Sequence, residues 1–118
     1  MTGEMRYDLR LTLYGDKKFF GPGVADLLKL ADEKGSLHMA AQQMHMAYSK
    51  AWRIVKEAED ALGFSLLHMQ TGGKNGGGAS LTAEGREFLM RFTAMNDALQ
   101  EHARTLFEEY FSREKTSL

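Results

Sequence analysis

Lys50, Arg53 and Lys56 recur at three-residue spacing, with no acidic residue among them before Glu57. At about 100° per residue Arg53 and Lys56 share one helical face with Ser49, with Lys50 beside them, opposite the apolar stripe Ala51, Val55, Ala58 and Leu62. Clustered ammonium and guanidinium groups suit phosphates, and a guanidinium can also pair bidentately with the edge of guanine. Arg53 is the best placed for such a base edge; the alternative is a charged face that simply meets solvent. Tyr48 and Trp52 lie four apart and so share one edge of the same helix. Either they pack on neighbouring elements or they reach nucleic-acid sugars and thymine methyls; packing is expected for Trp52, and contact for Tyr48, nearer the helix start.

A second set of candidates lies in Thr71-Gly72-Gly73-Lys74-Asn75-Gly76-Gly77-Gly78. It is not a nucleotide cradle, because Gly78 is followed by Ala79 and Ser80, and Lys74 sits inside the loop. Its glycines let backbone N–H groups approach phosphates closely, with Lys74 and Asn75 at the tip for the same purpose. The other reading is a hairpin connection and nothing more. A third group, His38, Met39, Met44, His45 and Met46, has the soft donors of a transition-metal site. No histidine pair has the helical i, i+4 spacing, and methionine routinely fills cores, so no metal is expected there. No Ser/His/Asp set, paired carboxylates or cofactor fingerprint occurs elsewhere, so neither catalysis nor a cofactor is expected.

The elements that must position these groups can be read from local signals. The apolar residues Met5, Tyr7, Leu9, Leu11 and Leu13 alternate with polar ones, the period of a half-buried strand over 5–14, closed by Gly15-Asp16. Three helices follow over 22–62. Pro22 opens the first at a position where its missing N–H costs nothing, and Gly35 stops it. Ser36 can cap the second through its hydroxyl. A tight connection at His45, Met46 and Ala47, without a glycine, leads to the third, Tyr48 to Leu62, stopped by Gly63. Leu66 to Met69 and Ala79 to Leu81 flank the glycine loop as two antiparallel strands, a wing over 66–81. Thr82 then caps a long helix over 82–111, about 45 Å at 1.5 Å per residue. Its stripe of Phe88, Phe92, Met95, Leu99, Leu106 and Tyr110 outreaches a domain of this size and asks for a partner, most simply a second copy of the chain.

Composition sets the bounds. One domain over 1–118 is expected, since 118 residues at 43% hydrophobic suffice for one compact core. No apolar run approaches the roughly 18 residues that cross a bilayer, and the N-terminus lacks a signal peptide's apolar stretch, so a cytoplasmic protein is expected. The absence of cysteine removes disulfides, thiolate metal sites and thiol nucleophiles. A net charge of −1 means that any attraction to nucleic acid comes from where the cations sit.

The order of elements is that of a mainly α fold with a small β-sheet: a winged helix-turn-helix, whose third helix enters the major groove while phosphates are held from its flanks. Gly35-Ser36-Leu37, Ala40-Ala41, Tyr48-Ser49-Lys50-Ala51-Trp52, the loop from Thr71 to Ala79, and Leu81-Thr82 with Gly85 together resemble the N-terminal DNA-binding domain of ModE-type molybdate-responsive regulators. More distantly they resemble LysR-type winged-helix domains. The resemblance implies a transcriptional regulator that dimerises through its long helix and N-terminal region and binds double-stranded DNA. The expected contacts are Ser36, Tyr48, Ser49, Lys50, Arg53, Lys56, Lys74 and Asn75. That family often has Tyr-Lys-Ser-Ala-Trp, so the cation here is shifted by one position. Its full-length members carry C-terminal molybdate-binding domains, whereas this chain ends at Leu118, and the expectation is a regulator without its own effector domain. The competing expectations are a module that offers the long helix to a different protein, and a regulator responsive to a metal or oxyanion.

Overall fold

The computed structural model of the protein describes residues 4–70 and 78–112. Helix boundaries fall where the capping residues put them. Pro22 stands in the first turn of α1 (Pro22–Lys34), and Gly35 ends it in the left-handed region at φ 68°, its N–H donating to the Ala31 carbonyl. The Ser36 hydroxyl accepts from the Met39 N–H at 3.1 Å and so starts α2 (Leu37–Gln43). His45 then takes φ 58°, the left-handed turn that a glycine would adopt most easily. The tight connection therefore forms without one, and α3 (Tyr48–Leu62) follows, closed by Gly63 at φ 84°.

The wing pairs β3 (Leu67–Gln70) with β4 (Gly78–Leu81), antiparallel, with Leu67 opposite Leu81 and Gln70 opposite Gly78. The expected loop between them, including Lys74 and Asn75, lies outside the described residues. Thr82 accepts from the Gly85 N–H at 2.8 Å, donates to the Ser65 carbonyl at 2.6 Å, and launches α4 (Ala83–Phe111). The helix start is pressed onto the chain before β3. A Cβ on Gly85 would stand 2.9 Å from the Leu66 Cα, closer than real Cβ contacts come.

The N-terminal region corrects the sequence reading. The expected strand over 5–14 is paired only at β1 (Leu13–Tyr14), and its partner, β2 (Lys18–Phe20), was not foreseen. Before Leu13 the chain belongs to no strand and meets α4 instead. Tyr7 packs its ring 4.8 Å from Phe107, and the Leu9 carbonyl accepts from Gln100 Nε2 at 2.6 Å. The alternating pattern is a property of extended chain over an apolar surface, and a helix offers such a surface as well as a sheet does.

Leu27 and Leu28 of α1, Leu66 and Phe20 are the largest fully buried side chains. Phe20 holds the centre, edge-on to Phe88 at 4.8 Å and Phe92 at 4.9 Å. This corrects two of the six expected dimerisation residues: Phe92 is buried in this chain's own core and Phe88 packs against it. Only the first turns of α4 lie on the core, because its buried residues are Gly85, Leu89 and Phe92. Met95, Leu106 and Tyr110 are exposed and Leu99 is half-buried.

Candidate nucleic-acid interface

Ala51, Val55 and Ala58 bury one side of α3 and leave the other outside. Ser49, Lys50 and Arg53 are exposed and Lys56 half-exposed, so the positive face read from the spacing exists as a surface. Its ion pairs are weak ones. Arg53 Nε stands 3.8 Å from Glu57 Oε1, with the Arg53 side chain 64% exposed, and Lys17 shares the same carboxylate at 3.4 Å. Exposed pairs of this kind are worth about 0–1 kcal/mol, so the guanidinium is cheap to redirect. Lys50 makes no ion pair among the described residues.

The Tyr48–Trp52 edge differs from expectation. Trp52 was expected to pack, yet it is 46% exposed, with Lys56 Nζ 5.5 Å from its ring centre. Tyr48, 39% exposed, stacks on His38 at 5.2 Å with the planes 20° apart. Small residues explain this. Ala51 and Ala58 bring α3 so close to the core that the bulky side chains beside them remain outside.

Ser36 is buried, and its hydroxyl oxygen accepts from the Met39 N–H, which leaves the O–H as a donor. The soft-donor cluster is divided between core and surface. Met44 and Met46 turn to the core while His38 stacks on Tyr48, and no metal-holding group of His, Asp and Glu occurs among the described residues.

Two carboxylates that spacing could not reveal join the parts. Glu59, near the end of α3, accepts from the Leu66 and Leu67 N–H groups at 2.7 and 3.2 Å, and pairs with Lys56 at 3.4 Å. Asp32 of α1 accepts from the Leu81 N–H at 3.0 Å. The β3 side of the wing is thereby fixed to α3 and β4 to α1, by acceptors that silence backbone donors. Their partners are main-chain groups, which leave no residue-type signal.

Residues 26–86, from α1 into the start of α4 and more than half of the chain, match the pattern of bacterial regulatory helix-turn-helix proteins of the lysR family. This chain belongs to that family. Its similar relatives carry one name. It is 34% identical over 85 residues to "Transcriptional regulator ModE" of Haemophilus influenzae, covering 72% of this chain and 33% of that protein. It is 31% identical to "DNA-binding transcriptional dual regulator ModE" of Escherichia coli K12, covering 82% of this chain and 37% of that one. "Molybdenum transport protein ModE" of Herbaspirillum seropedicae is 33% identical, over 70% of this chain and 29% of the relative. The chain thus spans about a third of the length of these relatives. Among solved structures, the CbnR_DBD–DNA complex superposes with a TM-score of 0.54 at 23% identity, over 71% of this chain and 94% of that one. ArgP from Mycobacterium tuberculosis gives 0.52 at 24%, over 76% and 31%. These likenesses confirm the winged helix-turn-helix fold. No described helix is long and apolar enough to cross a membrane.

Proposed function

We propose that this chain is a sequence-specific, double-stranded-DNA-binding domain of a transcriptional regulator, working as a homodimer. The observation that carries the reading is α3, whose exposed side is a cationic and aromatic face that the core does not use, fixed to a wing through Glu59. In such folds that helix enters the major groove and the wing and helix ends grip phosphate. Lys50 and Lys56 supply phosphate contacts, Arg53 a base contact, and Lys74 and Asn75 of the wing loop further backbone contacts. The names of the relatives support the DNA partner, and that of the Herbaspirillum protein makes molybdenum-related genes the first targets to examine.

The homodimer rests on α4. Beyond Phe92 it leaves the core and carries Met95, Leu106 and Tyr110 into the open.

Selection from a random duplex library at several salt concentrations tests the reading. The expected result is an enriched site of two half-sites about one helical turn, roughly 34 Å, apart, with affinity falling steadily as salt rises. No enriched sequence, or affinity indifferent to salt, would overturn it.

A further inference from the structure

A tryptophan on the open side of a small domain is an anomaly that the core does not explain. Trp52 is 46% exposed on α3, one turn beyond Tyr48, which is itself 39% exposed. Together they form an apolar edge along the cationic face, on the side that leads through Glu59 to the wing. The indole is also oriented. Lys56 Nζ stands 5.5 Å from its ring centre while pairing with Glu59 at 3.4 Å, so cation and ring hold each other over the exposed face.

We propose that Trp52, with Tyr48 beside it, reads thymine through the C5-methyl group that this base projects into the major groove. The inference rests on the DNA-binding reading above and gives that surface its base preference. Charge supplies the first argument. Lys56 stands over the indole and Arg53 is exposed on the adjoining part of the helix, and these cations favour a polyanion over a protein's apolar patch. Chemistry supplies the second. Indole and phenol rings cannot reproduce the bidentate pairing by which arginine reads guanine, and thymine is the base that offers an apolar group at the groove. The face then divides its labour, with the guanidinium at Arg53 for guanine and the aromatic edge for thymine.

The test is a single-atom-group change in the DNA. In the library-selected duplex each thymine is replaced in turn by deoxyuridine, which deletes the methyl group and keeps base pairing and phosphates. The wild type should lose about fourfold in affinity per contacted methyl, the worth of one buried methylene-sized group, at one or two positions in each half-site. Trp52→Ala should bind the thymine and uracil duplexes alike at those positions. Because the side chain is exposed the variant should fold, and the wild-type comparison does not depend on it. A selected site that lacks thymine, one insensitive to every replacement, or a discrimination unchanged in Trp52→Ala would overturn this inference and leave the DNA-binding reading standing. Failure to select any sequence would overturn both.

Discussion

Arg53 and Lys50 lie on one face of α3 yet predict different failures. Arg53 has a weak exposed partner in Glu57 at 3.8 Å and a planar fork suited to a base edge, whereas Lys50 makes no ion pair among the described residues and presents a compact charge. Arg53→Ala should therefore cost about 1–3 kcal/mol on the selected site and relax its preference at one base position. Lys50→Ala should weaken all duplexes alike and lower the salt slope by about one. Titrations of matched and mismatched duplexes across salt concentrations check both. If Arg53→Ala weakened every sequence equally, its base-reading role would be lost. The cations were legible from sequence because helical spacing alone assigns a face. Trp52 was not, because its exposure depends on how closely Ala51 and Ala58 let α3 approach the core. Ser36 was legible as a cap because its partner, the Met39 N–H, lies three residues on in the same turn.

At the scale of elements, the junction of wing and long helix depends on a missing side chain. Gly85 lies in the first turn of α4 against the Leu66 backbone, where an added Cβ meets main-chain atoms rather than a flexible side chain. Gly85→Ala should destabilise the fold by about 1–3 kcal/mol through overpacking, despite alanine's better helix propensity. Gly23→Ala, in α1 with nothing within 4 Å of the new Cβ, should instead be neutral or stabilising by up to about 1 kcal/mol. Urea denaturation of the two variants gives opposite signs if contact decides, and two stabilised proteins would show that Leu66 yields. What sequence showed of the elements follows the same division. Gly35, Ser36, Gly63 and Thr82 act on their own neighbours, so helix starts and stops could be read directly. The alternation over 5–13 was real, but whether extended chain pairs with a strand or lies along a helix depends on α4. The partner strand Lys18–Phe20 is too short to have a period of its own, and Phe88 and Phe92 belong to an unbroken apolar stripe that only the position of Phe20 divides into core and exposed parts.

For the whole molecule, length exceeds what one core can cover. The radius of gyration is 18.1 Å with extents of 65 × 30 × 23 Å, against about 13 Å for a compact domain of a hundred residues. The excess lies along α4, on which the 4–12 segment already covers part of the distal surface through Tyr7 and Leu9. Leu106, 40% exposed, and Tyr110, 69% exposed, remain for a partner. If two chains pair there, the α3 helices are held at a fixed separation and the two half-sites of a duplex are bound with one loss of translational freedom. Leu106→Asp should then separate the protein into monomers in sedimentation at micromolar concentration. Its thermal stability as a monomer should equal that of diluted wild type, because Leu106 is not part of the core. Affinity for a two-half-site duplex should fall by about 100-fold or more, while affinity for a single half-site stays unchanged. A wild-type protein that sediments as a monomer would assign the Leu106–Tyr110 surface to a different protein, and loss of single-half-site binding in Leu106→Asp would mean that the distal helix supports the recognition face directly.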